Sequence, residues 1–269
     1  MLKILIFILL PSISFQQLSE LKGIWISKNL ECIAIKDTNN LYDDSNGIGN
    51  GKKEEGVTVS RKGQILSFQK RYYTEESNFE KMMADSINLK IIKSSSSKII
   101  LSPVNTLAKS FFSNQKKIVF TKQEQIKNPI NFEKIIFHSA PCYGSCPVID
   151  VEILKDGSFY MESKLFKDFS MFDIDTSKTG TFSGKIDPSL MEELMKKAQR
   201  CFLEKMENKV DKNSENQVYT YILYYDGKRK SVQFNQANSI LDEINDFFVS
   251  FPLQTTMKKC LKREMEIEK

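Results

Sequence analysis

The feature that most constrains the fold is a succession of short, strand-like segments in residues 23–122. They read GIWISK, ECIAIK, GVTVSR, QILSFQK, LKIIK, KIILSP and KIVFTK. Each is rich in β-branched or aromatic residues and is bounded by Gly, Asn, Ser or Lys, which is typical of strands separated by turns. Many short strands close together in sequence predict an all-β domain, either a small antiparallel barrel or a sandwich.

The connections between these segments differ in kind. SRKGQ and KSSSSK predict hairpin turns, whereas residues 37–56, DTNNLYDDSNGIGNGKKEEG, predict a long polar loop because they are rich in Asn, Asp and Gly. Residues 75–86 predict either a short helix or a mobile lid.

A polar linker, KQEQIKNPIN, separates this region from one with a mixed α and β pattern. Pro129 disfavours helix immediately before it, so we expect a domain boundary near residue 128. FEKIIFHS and TGTFSGKI predict strands, and PVIDVEILKDGSFYMES predicts a hairpin whose Asp156 and Gly157 suit a type I′ turn. QVYTYILYYDGKRKSVQFN predicts a second hairpin.

Two amphipathic helices are predicted in this second region. DPSLMEELMKKAQRCFLEKM has Asp187 as a candidate N-cap and Pro188 at the first helical position. NSILDEINDFFVSF predicts another helix, capped by Asn238, with apolar residues on one stripe. Two such helices packed on an antiparallel sheet make an α+β domain. The charged tail that follows predicts a frayed helix.

The N-terminus has the pattern of a secretory signal peptide. MLKILIFILLPSISFQQ places a lysine before an apolar run over residues 4–10, too short for a membrane span of about 20 residues. We expect cleavage after Ser14; the alternative is a buried N-terminal strand. The mature protein is therefore predicted to be extracytoplasmic, periplasmic or secreted, and not an integral membrane protein. The predicted division is a signal peptide (1–14), a β domain (15–127), an α+β domain (128–255) and a charged tail (256–269).

Charge pattern and histidine content exclude several function classes. The net charge is +5, but the 39 basic and 34 acidic residues are interspersed and form no basic stripe for a nucleic acid. The single histidine lies outside any base–nucleophile motif, which argues against Ser-His-Asp and Cys-His hydrolases. There is no Gly-rich phosphate loop. We therefore expect a protein that is not an enzyme, with no cofactor and no nucleic-acid partner.

The five cysteines are the main candidates for site chemistry. They are Cys32, Cys142, Cys146, Cys201 and Cys260. In an oxidising compartment a close pair such as Cys142 and Cys146 most often forms a disulfide, and a turn at Gly144 can bring the two within bonding distance. Of the other three, Cys201 lies on the apolar face of a predicted helix and predicts a buried thiol, and Cys32 alternates with Ile33 in a predicted strand. Cys260 in the charged tail is the candidate for pairing between chains.

The stretch HSAPCYGSCPVIDVEI also allows two alternatives to a disulfide. His138, Cys142 and Cys146 have a spacing that metal sites allow, but structural zinc takes four ligands and the stretch supplies three. A thiol-redox site normally has two residues between its cysteines and lies at a helix N-terminus. Here three residues separate the cysteines, and a strand follows Pro147.

Two motifs carry resemblances to known families. PCYGSCP at residues 141–147, the following VIDVEILKDG, and GTFSGKI ahead of a helix resemble an uncharacterised bacterial family, domain of unknown function 6438, over residues 132–251. No activity is established for that family, so the resemblance implies a fold. LKGIW, with Gly23 and Trp25, and the closing IILSP and KIVFTK strands are similar to lipocalin-like barrels of secreted bacterial proteins.

The lipocalin-like resemblance implies a barrel whose mouth binds a small apolar ligand. Trp25 is then either a ligand contact or a plug in the barrel core. In the second domain, a disulfide-stiffened loop would present Tyr143 and Ser145 to a partner such as an envelope protein. We therefore predict a secreted or periplasmic binding or interaction protein; the alternative is a thiol-redox or metal-dependent protein that uses Cys142 and Cys146.

Overall fold

The computed structural model describes residues 18–36, 46–167, 173–236, 238–260 and 267–268. They form a closed eight-stranded antiparallel barrel followed by a seven-stranded antiparallel sheet with two helices. The predicted fold class is confirmed for both domains. The predicted signal peptide lies outside the described residues. No helix among these residues combines the length and apolar character needed to cross a bilayer.

The barrel is a meander in which each strand pairs with the next, and the first strand pairs with the last. Trp25 lies opposite Lys122, which closes the cylinder. A short helix lies in the connection between the seventh and eighth strands. The elements are β1 Gly23–Ser27, β2 Glu31–Ile35, β3 Asn46–Asn50, β4 Glu54–Lys62, β5 Ile65–Tyr73, β6 Met82–Ser94, β7 Lys98–Pro103, α1 Thr106–Phe111 and β8 Ile118–Lys122.

The barrel interior is filled by the protein's own side chains. Trp25 is 1% exposed and its Nε1 donates a hydrogen bond of 2.8 Å to the carbonyl of Leu21. Because side chains alternate along a strand, every second residue points inward and joins this cluster. Other members of the cluster are Ile33, Ile35, Ile48, Val57, Val59, Leu66, Phe68, Ile87, Leu89, Ile91, Ile99, Leu101, Ile118 and Phe120.

Two connections of the barrel differ from the sequence prediction. The predicted polar loop over residues 37–56 contains β3 and the start of β4, because Ile48 is buried in the barrel and pairs with Ile33. Gly49 is required there by space, since a Cβ would lie 2.7 Å from the Cys32 Sγ. Residues 75–86 form no α-helix: they contain a 3-10 turn, Glu75–Ser77, and the first residues of β6, which pairs with β5.

The second domain has the predicted order of strand, hairpin, strand, helix, hairpin, helix. Its strands lie in the order β14-β13-β9-β10-β11-β12-β15. The elements are β9 Phe132–Ser139, β10 Val148–Leu154, β11 Ser158–Lys164, β12 Gly180–Lys185, α2 Pro188–Arg200, β13 Tyr219–Tyr225, β14 Lys228–Phe234, α3 Asp242–Gln254 and β15 Lys258–Lys259.

Local details of this domain refine the predictions. Gly157 has φ +83°, but Asp156 is not among the positive-φ residues, so its turn is not the predicted type I′. Asp226 and Gly227, at φ 48° and 69°, do have the two positive values of a type I′ turn. In the predicted helical tail, residues 258–259 form β15 instead, which pairs with β12.

The two helix starts differ in how they are capped. Asp187 caps α2 as predicted, since its side chain accepts a hydrogen bond from the Ser189 N–H. Asn238 does not cap α3: it makes no capping bond, and a 3-10 turn, Ser239–Leu241, comes before the helix. The carboxylate of Glu54, from the barrel, accepts hydrogen bonds from the N–H and the hydroxyl of Ser239 at 2.8 and 2.5 Å.

The barrel and the sheet domain therefore share an interface. Ile26 and Cys32 of the barrel belong to the same buried cluster as the helix-covered side of the sheet. Lys36 pairs with Asp242 at 2.5 Å, and the buried Gln123 amide donates to the Ile240 carbonyl at 2.8 Å. Side chains from the barrel, Glu54 and Lys36, therefore bind the residues at the start of α3.

One face of the sheet is covered by the helices. On it, the Phe137 ring stacks on Phe248 with 4.6 Å between centroids, and Phe159 meets Phe251 edge to face. Cys201 is 0% exposed in this core, and burial raises the pKa of its thiol. The Cys201 thiol is therefore buried as predicted, and Cys32, at 2% exposed, is buried as well. The other face of the sheet carries no helix among the described residues.

Candidate functional site

The connection between β9 and β10 is closed by the predicted disulfide. Cys142 and Cys146 are bonded, with 5.8 Å between their Cα atoms. We call residues 141–147 the disulfide loop. Because both sulfurs are joined to each other, neither is a thiolate ligand or a free redox thiol in this state. A strand, β10, follows the second cysteine, so no local helix dipole is available to activate a thiol.

Both ends of the disulfide loop are fixed to the sheet by hydrogen bonds. The Gln217 amide donates to the carbonyls of Ala140 and Pro147, both at 2.7 Å. The Ser139 hydroxyl also donates to the Pro147 carbonyl at 2.9 Å and accepts from the Ile149 N–H at 2.8 Å. The loop is thus held at its base by side chains and at its neck by the disulfide.

The tip of the loop presents one large aromatic side chain. Tyr143 is 93% exposed, more than any other large apolar side chain among the described residues. The next residue, Gly144, has φ +143°, a backbone conformation that favours glycine. Ser145 is half-buried, so of the two predicted contact residues Tyr143 is the more accessible.

His138 lies on the helix-free face, at the end of β9 next to the loop. Its Nδ1 is 2.8 Å from Oδ1 of Asp150, on the neighbouring strand. Its Nε2 is buried and has no hydrogen-bond partner in the described part of the chain. The predicted alternative was a metal bound by His138, Cys142 and Cys146. It would need cysteine thiolates as ligands, and the two cysteines are joined in a disulfide. The described residues contain no group of three or more His, Cys, Asp or Glu that could hold a metal ion.

A polar row crosses the helix-free face at the level of His138. Strand register places six residues side by side on six neighbouring strands. Neighbouring strands lie ~4.8 Å apart, so the row is about 24 Å long. We call it the polar row; it consists of Gln233, Thr220, His138, Asp150, Glu162 and Thr181.

Two open pockets lie along the polar row and meet at its centre. One, of about 290 Å³, lies between the disulfide loop and Gln233; the other, of about 460 Å³, extends to Thr181. Val148 and Asp150 line both pockets, so the two form one groove. Sequence reasoning named only His138 in this groove. The signal for the others was the polar residue at every second position of VIDVEI and of the flanking strands.

Ile267 and Glu268, near the C-terminus, contact part of this face. Ile267 is 2% exposed and packs with Ile136, Tyr160 and Ile222. Glu268 accepts hydrogen bonds from the Tyr224 hydroxyl at 2.5 Å and from the Arg229 Nε at 2.7 Å. Together these contacts cover apolar surface beside the polar row.

The barrel has a pocket of its own at one end. It measures about 370 Å³, and its apolar floor is formed by Val57, Phe68 and Ile87. Its rim is charged: burial acts to raise the pKa of Glu55, but hydrogen bonds from Lys53 and Lys70 hold it below the ordinary value. Trp25 does not line this pocket and lies in the filled core. Whether the barrel binds an apolar ligand stays a prediction.

The family comparison concerns the second domain. Residues 133–252 match the family model described as Domain of unknown function (DUF6438). The match begins in β9, includes the disulfide loop and ends in α3, and it supports the resemblance predicted from PCYGSCP. The second domain is similar to this family. No curated protein and no solved structure matches the chain.

Proposed function

We propose that this protein is an extracytoplasmic, non-catalytic binding protein that contacts a protein partner through the disulfide loop. The observation that carries the proposal is Tyr143, 93% exposed at the tip of a loop fixed by a disulfide and by Gln217. Tyrosine is enriched among the residues that dominate binding energy at protein interfaces. Holding the loop rigid before contact lowers the entropy lost on binding.

The location of the protein is part of the proposal. A disulfide persists in oxidising compartments, and the apolar run at residues 4–10 has the length of the hydrophobic region of a signal peptide. The test is the mass of the protein recovered from the extracytoplasmic fraction of expressing cells. We expect a mature chain that begins after Ser14. Recovery of full-length protein from the cytoplasm alone would contradict it.

The binding proposal is tested by capture from cell-envelope fractions. The full chain and its Tyr143→Ala variant are immobilised, and captured proteins are quantified by mass spectrometry. The matched control is Tyr73→Ala, which removes a tyrosine that is 55% exposed on the barrel. We expect a specific partner whose recovery falls at least tenfold with Tyr143→Ala and is unchanged with Tyr73→Ala. Equal loss in both variants, or in neither, would refute the role of the loop.

A further inference from the structure

Two residues near the C-terminus, Ile267 and Glu268, occupy a site on the helix-free face of the sheet, and we call them the tail pair. The site has an apolar half and a half that binds a carboxylate. We propose that it is a binding site for a short peptide of a partner protein in which an aliphatic residue precedes a glutamate, and that the tail pair occupies it in the absence of that peptide. The inference does not depend on Tyr143 or on the disulfide loop.

The apolar half of the site holds the side chain of Ile267, which is 2% exposed. Its neighbours are Ile136, Tyr160 and Ile222, from β9, β11 and β13. These four side chains form a cluster of their own, apart from the barrel core and from the helix-covered core. Because three of the four belong to the sheet, the strands themselves build a place for one aliphatic side chain, and the burial of that side chain favours binding.

The other half of the site binds the Glu268 carboxylate through groups from three strands. The Tyr224 hydroxyl donates to one carboxylate oxygen at 2.5 Å, and the Arg229 Nε donates to the other at 2.7 Å. The Lys134 Nζ lies 3.9 Å from Oε2. The hydrogen bond from Tyr224, together with Arg229 and Lys134, holds the pKa of Glu268 below its ordinary value, against the opposing effect of burial. Since both oxygens accept hydrogen bonds, an amide would turn an NH₂ group toward one of the donors, so the site favours glutamate over glutamine.

The groups that bind the carboxylate are held in place by the sheet itself. Strand register puts Lys134 opposite Tyr224, and Tyr224 opposite Arg229. The Lys134 Nζ lies over the Tyr224 ring, 4.5 Å from its centroid, and 3.5 Å from the Glu152 carboxylate. These contacts do not involve the tail pair, so the site keeps its form when the pair leaves. A site that is formed before its ligand arrives loses less entropy on binding.

The tail pair is suited to exchange with a peptide from another protein. Its contacts described above are made by side chains, and neither of its residues lies in a strand or a helix. A peptide with the same two side chains can therefore make the same contacts. A ligand tethered to its site has an effective concentration on the order of millimolar. A partner peptide therefore binds the intact chain only in competition with the tail pair, and it binds more tightly when the tail pair is altered.

The test uses the full chain and a fluorescein-labelled synthetic peptide, MEIEK, which has the sequence of residues 265–269. Fluorescence anisotropy reports its affinity. A double variant, Ile267→Ala with Glu268→Ala, should vacate the site and bind the peptide at least tenfold more tightly than the intact chain does. Adding Arg229→Ala to the double variant should weaken binding at least tenfold. The matched control is Arg61→Ala, which removes an arginine of the barrel strand β4 and should change the affinity less than twofold.

Changes in the peptide test the chemistry of the site without altering the protein. The peptides MEIQK and MEAEK replace the second glutamate by glutamine and the isoleucine by alanine. Each should bind the double variant at least tenfold more weakly than MEIEK does. Octanoate, added as a competitor, should displace MEIEK only weakly, because its carboxylate lies at the end of its own alkyl chain and not on a neighbouring side chain.

Several results would overturn the assignment. The site does not bind a peptide if the double variant fails to bind MEIEK at millimolar concentration, or if the intact chain and the double variant bind it equally. It does not select a carboxylate if MEIQK binds as tightly as MEIEK. Tighter binding of octanoate than of MEIEK would replace the peptide by a fatty acid. Tyr143→Ala should leave the affinity for MEIEK unchanged.

A second variant and a stability measurement keep the test decisive. Thermal unfolding of each variant shows that it is folded before titration. Glu268→Ala alone keeps the contact of Ile267, and it should bind MEIEK with an affinity between those of the intact chain and the double variant. Lower thermal stability in these variants without any peptide binding would give the tail pair a structural role only and would refute the proposal.

Discussion

The barrel and the sheet domain use similar antiparallel strands, yet they differ in what they expose. Every barrel strand is paired on both sides, and the inward side chains fill its interior. In the described part of the chain, helices cover one face of the sheet, and the other carries a polar row and an exposed aromatic loop. The difference teaches that stability is concentrated in the barrel and the helix-covered core, while the helix-free face holds the candidate sites.

The strongest test of this comparison removes the largest side chain of the barrel core. Trp25→Ala should lower the free energy of unfolding by about 3–5 kcal/mol, because it leaves a cavity. Tyr143→Ala, at the tip of the loop, should change it by less than about 0.5 kcal/mol. Urea denaturation followed by circular dichroism measures both. A Trp25→Ala protein of nearly wild-type stability would mean that Trp25 is not a core plug, and would return it to consideration as a ligand contact.

The next test concerns the link between the two regions. Glu54→Ala removes the carboxylate that accepts both hydrogen bonds from Ser239. We expect a loss of about 1–3 kcal/mol, because the buried start of α3 is left without its partner. Glu193→Ala, which breaks an exposed ion pair on α2, should cost at most about 0.5 kcal/mol. Equal effects would show that the two domains are energetically independent.

A smaller effect is expected from opening the disulfide loop. Replacing Cys142 and Cys146 by serine should cost at most about 2 kcal/mol, because a short ring removes little entropy from the unfolded chain. Hydrogen exchange should accelerate in residues 141–147 and stay slow in β9 and β10. Increased exchange throughout the sheet would indicate instead that the disulfide stabilises the whole domain.

The smallest effect is a dependence of stability on pH. Burial raises the pKa of the Cys201 thiol, so the folded state keeps its proton at a pH where the unfolded thiol, with a pKa near 8.5, loses it. Stability from this group is fully present below about pH 8.5 and falls above it, by up to about 1.4 kcal/mol per pH unit. Cys201→Ala should reduce the slope between pH 8.5 and 9.5 in denaturation curves. An unchanged slope would mean that the thiol is not shielded in the folded state.

Much of the fold follows from local sequence. The start of α2 is predictable because its signals are local. Asp187 accepts a hydrogen bond from the Ser189 N–H, and Pro188 occupies the first helical position. β3 was missed because NGIGN has the composition of a turn, and its strand conformation depends on Ile48 entering a barrel that other segments close. Asn238 was a reasonable cap by residue type, but the carboxylate that acts there is 184 positions earlier, at Glu54.

The candidate site was predicted in part. The disulfide and the exposed Tyr143 follow from the spacing of PCYGSCP, which is local. The polar row does not, because its six residues come from six separate strands and meet only through long-range register. His138 stood out in sequence as the single histidine, but its neighbours Thr220 and Asp150 are set by strand pairing.

The clamp made by Gln217 has a consequence for how the disulfide loop can change over evolution. Its amide binds the backbone carbonyls of Ala140 and Pro147, and so holds the base of the loop whatever side chains lie between. Tyr143 and Ser145 can therefore be exchanged without disturbing the frame that displays them, whereas Gly144 is held by its positive φ. The tip of the loop can change in sequence while its base stays fixed. A new binding preference can therefore arise there without a change in the rest of the fold.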